Sequence, residues 1–336
     1  MIGLLFVGLL AVCGFLQVVM APTVLKNLFY EYKYDTRLAE PGERITFTSK
    51  IINAWRFPVA YINVSEQLPE GAVIENGTTN RYGYRLFLFP KKSHTHETHL
   101  TFSRRGVYRN GRCFLETGDF LGFQAKVRNI DITSDLVIMP KRSEDEYVIK
   151  TLGGFLGDIS VRRFIIEDPV LNIGYRDYTG REPMKNISWS QSAKVDKLMV
   201  KNNDFTVDTN VAVVLHMDNN RDQEMEDCLE IVRTVCEELE KKRIPYEFIS
   251  DGDVGNLNEG YGTRHLNYLM TRLGRSRLHG YYSFSELMDE CIRKKKNNRS
   301  YIVITPRLDE GEKAALNKLQ AYSDHEICVF TGGQTL

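Results

Sequence analysis

The chain has 336 residues, with 44 Lys and Arg against 44 Asp and Glu for a formal net charge of zero, which is enough length for two domains or three small ones. Hydrophobic residues make up 42%, aromatics 11% and charged residues 26%, so a disordered, collagenous or low-complexity protein is excluded. Charge neutrality argues against the broad positive field of non-specific nucleic-acid binding, and nucleic acid is not expected as a partner.

No side chain from Met1 to Leu25 is charged, and a helix of that length covers the roughly 30 Å of bilayer hydrocarbon. Residues 1–25 therefore read as a transmembrane anchor that engages the lipid bilayer. A secretory signal is the competing reading, but it needs a positively charged stretch before its apolar core. The first basic residues, Lys26, Lys33 and Arg37, follow the segment. By the positive-inside rule this predicts a single-pass cell-membrane protein with its folded part in the cytoplasm. Cys13, Cys113, Cys228, Cys236, Cys291 and Cys328 show no C-x-x-C spacing and read as buried thiols.

Over residues 28–140, short β-branched and aromatic runs at 45–52, 59–64 and 84–89 alternate with Gly-containing turns at 41–42, 69–71, 75–77 and 109–111. This spacing predicts an all-β, immunoglobulin-like sandwich. His94, His96 and His99 raise a metal reading, since H-x-H puts two imidazoles on one strand face. With no carboxylate or cysteine placed to complete the shell, they read as a solvated strand face.

Residues 141–206 form a connecting region with a dense motif: Tyr175-Arg-Asp-Tyr-Thr-Gly180, then Lys185-Asn-Ile-Ser-Trp189 and Ser192-Ala-Lys194. Arg176, Asp177, Tyr178, Gly180, Lys185, Trp189, Ser192 and Lys194 read as a folded hub, with Ile187 and Trp189 as buried anchors and Gly180 at a positive φ. A partner surface on the same residues is the alternative, because Arg, Tyr and Trp are common hot-spot types.

From residue 207 to 336 the pattern becomes alternating strand and helix. Asn210–Met217 is a near-continuous apolar run, as expected of a parallel strand covered on both faces. Met225, Cys228, Leu229, Val232, Val235, Cys236 and Leu239 recur at helical spacing. Strands near 245–249, 301–305 and 327–331 alternate with helices near 263–273, 283–293 and 310–322, which predicts a doubly wound α/β sheet.

The 175–194 motif, together with Phe102-Ser-Arg-Arg-Gly-Val-Tyr108 and Glu116-Thr-Gly-Asp-Phe-Leu-Gly-Phe123, resembles the bacterial family known as domain of unknown function 58. Asp177, Arg181, Lys185 and Lys194 depart from that family's usual residues. The resemblance implies a von Willebrand factor A-like domain over 207–336 and a MoxR-type AAA+ ATPase as partner. In such domains a D-x-S-x-S motif holds a metal ion, and the matching place here is Asp218, Asn220 and Asp222, which lacks both serines. Their oxygens suit Mg²⁺; Asp222 as a helix N-cap and Asp218 bound to backbone amides is the competing reading. The loop Asp251-Gly-Asp253 reads as solvated.

These residues include no P-loop, G-x-S-x-G or H-E-x-x-H motif. The expected function is a non-enzymatic, membrane-anchored scaffold or adaptor presenting its α/β domain to a protein partner. The alternative is a metal-dependent hydrolase or ligand-binding protein working from Asp218 and Asp222.

Overall fold

In the computed structural model, the described residues are 8, 23–75, 80–109, 111–118, 125–165, 172–180, 183–203, 210–294, 299–323, 325 and 327–333. The chain divides into two compact units, residues 1–141 with 271–275 and residues 142–270 with 276–336.

The first unit is a β-sandwich. One sheet runs in the order β1 (Leu28–Tyr34), β3 (Ile45–Asn53), β7 (Ser93–Phe102), β5 (Ala72–Ile74). The other runs β10 (Ala125–Ile132), β9 (Gly111–Gly118), β4 (Val59–Gln67), β6 (Arg81–Leu88), and all pairings within both sheets are antiparallel. A small third sheet joins β2 (Leu38–Ala39), β11 (Leu136–Ile138) and β8 (Gly106–Tyr108). The strand period of two does the sorting: along β3, Ile45, Phe47, Ser49, Ile51 and Asn53 are buried while the residues between them are half-exposed.

The same alternation carries a carboxyl into the core. Ile62, Val64 and Glu66 share the inner face of β4, and Glu66 is fully buried. Tyr30 Oη donates to Glu66 Oε1 at 2.9 Å and Tyr82 Oη donates to Oε2. Burial pushes the Glu66 pKa up, against the opposing pull of its hydroxyl partners. On β7, His94 and His96 stand in the inward row that continues through Thr98, Leu100 and Phe102. The His96 ring stacks on Tyr84 at 4.4 Å and lies 5.5 Å from Tyr82. Burial and the neighbouring His94 lower its pKa. His96 is thus part of a ring cover over the sandwich interior, whereas His94 is exposed as expected of a solvated face, and His99 is turned to Thr46 Oγ1 at 3.3 Å.

The second unit opens with α1 (Glu146–Ile165), followed by the hairpin β12 (Asn172–Asp177) and β13 (Met199–Asn203), with a 3-10 turn (Met184–Asn186) and α2 (Trp189–Val195) between its strands. A five-stranded sheet follows in the order β16 (Leu257–Gly260), β15 (Tyr246–Ser250), β14 (Asn210–Leu215), β17 (Arg299–Thr305), β18 (Cys328–Thr331). Every residue of β14 and β17 is buried. The sheet is packed by α3 (Asp222–Lys241), α5 (Phe284–Arg293) and α6 (Glu310–Tyr322), and α4 (Thr263–Arg275) precedes α5. The helical spacing read from the sequence is the buried face of α3: Met225, Cys228, Leu229, Val232, Val235, Cys236 and Leu239 have no exposed surface. The five described cysteines are buried, and burial lifts the Cys228 thiol to about 12.

Two parts of the expected fold are corrected. The transmembrane helix over 1–25, with the single-pass cell-membrane location drawn from it, falls almost wholly outside the described residues. Among those described, no helix is long and apolar enough to cross a membrane. The region after 207 is not a doubly wound von Willebrand factor A-like domain either. Its sheet is mixed: after β15 the chain returns through a tight loop at 251–256, with Gly255 at φ +65°, so β16 pairs antiparallel at the edge. A return that short cannot make the crossover a parallel neighbour requires.

Candidate functional site

Two places bring chemistry-bearing residues together, both within the second unit: the carboxyl edge of the five-stranded sheet and the β12–α2–β13 module.

At the sheet edge, Leu215 of β14 pairs with Ser250 of β15, so the residues that follow, His216 and Asp251, leave their strands side by side. Asp251 Oδ2 meets His216 Nδ1, and Asp251 Oδ1 accepts the Met217 backbone N–H at 2.9 Å. Asp251 is 2% exposed and His216 8%, so the expected solvated loop is a buried polar pin between two strands. Asp253 is also engaged, accepting Ser276 Oγ and the Arg277 N–H at 2.6 Å each. A histidine held by a buried carboxylate has the orientation of a general base. Its Nε2, however, faces Glu312 Oε1 at 4.0 Å, a carboxyl rather than a hydroxyl or thiol that a histidine base would activate.

Asp218, Asn220 and Asp222 follow β14. Asp218 Oδ2 pairs with Arg221 Nε at 2.9 Å while its Oδ1 accepts the Asn220 N–H at 3.0 Å. Asp222 is the first residue of α3, one place after the Arg221 N-cap. A guanidinium therefore holds the carboxylate that a divalent cation would need. Among the described residues no group of three or more His, Cys, Asp or Glu side chains could hold a metal ion. The donor set does not fit Mg²⁺ as it stands. Nearby, a cleft of about 660 Å³ is lined by Tyr147, Arg221, Glu224, Arg307, Lys313 and Gly333 among others. Its cations are paired within the chain: Arg221 to Asp218, Arg307 to Asp309 at 3.1 Å and Lys313 to Glu310 at 3.0 Å.

In the β12–α2–β13 module, Ser192 is the internal peg. Its Oγ donates to the Ser188 carbonyl at 2.8 Å and accepts the Met199 N–H at 2.9 Å, tying α2 to β13. Ile187 bridges Val200, and both are buried. Tyr178 N–H donates to the Leu198 carbonyl at 2.9 Å, and Gly180 sits at φ +85°, a backbone state costly for other residues.

Trp189 differs from its expected role as a buried anchor: it is 61% exposed. The chain passes from extended backbone at Ile187 into helix at Trp189, so strand alternation no longer carries both side chains to one face. In the same module Met184 is 68% exposed, with Tyr175, Val195 and Leu198 also exposed. Arg176, Asp177, Lys185 and Lys194 are all on the surface. The structure thus divides the motif: Ile187, Ser192 and Gly180 hold the module, while Trp189 and the charged residues face outward.

No protein-family model matches the chain, and no curated protein matches it. Among solved structures it is similar to native alpha-2-macroglobulin from Escherichia coli, over the part from domain MG7 to the C-terminus. That match has 13% identity and a TM-score of 0.29, covering 34% of this chain and 17% of that one. The CARDB domain of a Pyrococcus furiosus protein, in complex with di-metal ions, matches at 14% identity and TM-score 0.23, covering 32% and 90%. The GAE domain of GGA2p from Saccharomyces cerevisiae matches at 11% and 0.23, covering 32% and 91%. The chain thus spans well under two thirds of the macroglobulin's length.

Proposed function

We infer that this chain is a non-enzymatic scaffold or adaptor and that the outward face of the β12–α2–β13 module is where it meets a protein partner. The observation that carries this reading is the exposure of Trp189 on a small module that also exposes Met184, Lys185, Lys194 and Val195. A solvent-facing Trp is the type of residue found at interface hot spots, in which one aromatic anchor supplies much of the binding energy. Isolated exposed apolar residues are ordinary, but several on one small module mark an interaction surface. The partner class is a MoxR-type AAA+ ATPase, implied only by the motif's resemblance to the domain of unknown function 58 family. The hydrolase alternative is less favoured, because Asp218 is committed to Arg221.

Crosslinked affinity purification of the full-length protein, with and without ATP and read by quantitative mass spectrometry, tests the reading. An AAA+ ATPase should be enriched, and Trp189→Ala should lower that enrichment about tenfold or more, as loss of a hot spot would. If no such ATPase is enriched, or if enrichment is the same for Trp189→Ala, the reading is wrong.

A further inference from the structure

One end of the sandwich carries a second exposed aromatic group. Trp55, half-buried against the sandwich core, and Phe57 lie in the β3–β4 loop with ring centroids 5.0 Å apart, and Phe87 in β6 and Phe89 just after it have centroids 4.9 Å apart. Phe57, Phe87 and Phe89 are 55%, 47% and 63% exposed. Large apolar rings in such number on two neighbouring loops are costly to leave in water.

These loops are held rigid by one residue. Asn53, itself fully buried, donates through Nδ2 to the carbonyls of Phe57 at 3.0 Å and Phe89 at 3.1 Å. Its Oδ1 accepts the Trp55 N–H at 3.0 Å, and its own N–H donates to the Lys92 carbonyl at 2.9 Å. Ala54 N–H donates to the Asn27 carbonyl at 2.9 Å, which brings the helical turn at 23–26 to the same end. Arg128 Nη1 holds that turn by donating to the carbonyls of Leu25 and Leu28 at 3.2 and 3.1 Å.

Charge completes the pattern. Lys26, Arg56, Lys91 and Lys92 lie on the three segments 23–27, 54–58 and 89–92 and are exposed, and those segments contain no Asp or Glu. Rigid aromatic rings rimmed by cations suit one kind of surface in particular. Rings settle at the headgroup level, stems of Lys and Arg follow them, and the charged heads meet lipid phosphates.

We propose that this end of the sandwich seats on the surface of an anionic lipid bilayer, with Trp55, Phe57 and Phe89 in the headgroup region and Lys26, Arg56, Lys91 and Lys92 against the phosphates. The contact is made by folded loops and calls for no helix that crosses the bilayer. It is independent of the partner surface at Trp189.

The chain has two tryptophans, so full-length protein carrying Trp189→Phe leaves Trp55 as the only indole reporter. With phosphatidylserine–phosphatidylcholine vesicles, Trp55 emission should move to the blue and be quenched by bromine-labelled acyl chains. Phosphatidylcholine alone should give a much weaker response, and added salt should weaken the anionic one. Arg56→Glu with Lys92→Glu, both at exposed positions, should lower partition about tenfold or more, since each cation near such a surface strengthens binding about fivefold. An unchanged unfolding midpoint in that variant separates lost binding from lost folding. The proposal is overturned if Trp55 emission does not move while the protein sediments with vesicles, because attachment would then run through other residues. Equal partition into neutral and anionic vesicles would also overturn it, as would a Trp55 shift produced by a purified protein and not by lipid.

Discussion

The two units bury charge in different ways. In the sandwich, Glu66 lies in the core against neutral hydroxyls, with Tyr30 and Tyr82 donating to its two oxygens. In the second unit buried guanidinium groups sit opposite carboxylates: Arg299, 1% exposed, against Glu247, and Arg233, 3% exposed, against Glu237 at 2.7 Å. A carboxyl solvated by hydroxyls can remain protonated, whereas a guanidinium cannot shed its charge and needs its carboxylate. The sandwich should therefore respond to pH through its core, and the second unit should respond more sharply to loss of a partner.

The largest expected effect tests the paired arrangement. Arg299→Ala should destabilise the second unit by about 3–5 kcal/mol, the usual cost of leaving a buried ion without its mate together with a packing void. Each unit contains one tryptophan, Trp55 in the first and Trp189 in the second, so urea unfolding of the Trp55→Phe and Trp189→Phe backgrounds reads the two separately. An equal shift in both transitions would erase the contrast drawn here.

Next in size is the pH response of the sandwich. The folded state holds the Glu66 proton more tightly than the unfolded chain, whose pKa is near 4.5. Stability from this group is thus greatest below 4.5, falls as pH rises from there through the raised value, and then levels off. His96, with its lowered pKa, acts with the opposite sign, costing stability as pH falls below 6.5. Glu66→Gln should remove the first slope, leave the second and unfold later than the parent at pH above the raised value. Equilibrium unfolding of the Trp55 reporter across pH checks this, and a slope that survives Glu66→Gln would show that another group carries it.

The smallest expected effect lies at a helix end in the second unit. Ser283 Oγ accepts the Glu286 N–H and Glu286 Oε2 accepts the Ser283 N–H at 2.8 Å, a capping box that starts α5. Ser283→Ala should cost about 1 kcal/mol, visible in the Trp189 transition and absent from the Trp55 one.

Much of the secondary structure was legible because local period and burial agree. The seven apolar positions of α3 form one face at helical spacing, and β14 is apolar at nearly every place, so each declares its environment without reference to a neighbour. The sandwich strands announce themselves in the same way through alternation at 45–52. Less of the candidate site could be read. Trp189 was expected inside because Ile187 and Trp189 are spaced as strand neighbours, and the change from strand to helix between them turns the indole outward. Asp251 was expected in solvent because its neighbours are Gly and Asp, and only the pairing of β14 with β15 brings His216 beside it.

By itself the amino-acid sequence determined which stretches become helix or strand, which of their faces are apolar, and where the charge-free N-terminal segment begins and ends. These are local properties, set by side-chain size, branching and period along one stretch of chain. The tertiary structure decided that Glu66 enters a core, that Asp218 is held by Arg221 and not left open to a cation, that β16 reverses at the sheet edge, and that Trp189, Phe57 and Phe89 remain outside. Each of those outcomes depends on which distant strand, helix or loop arrives next to the residue, and that is settled by the packing of the whole unit rather than by the residues on either side.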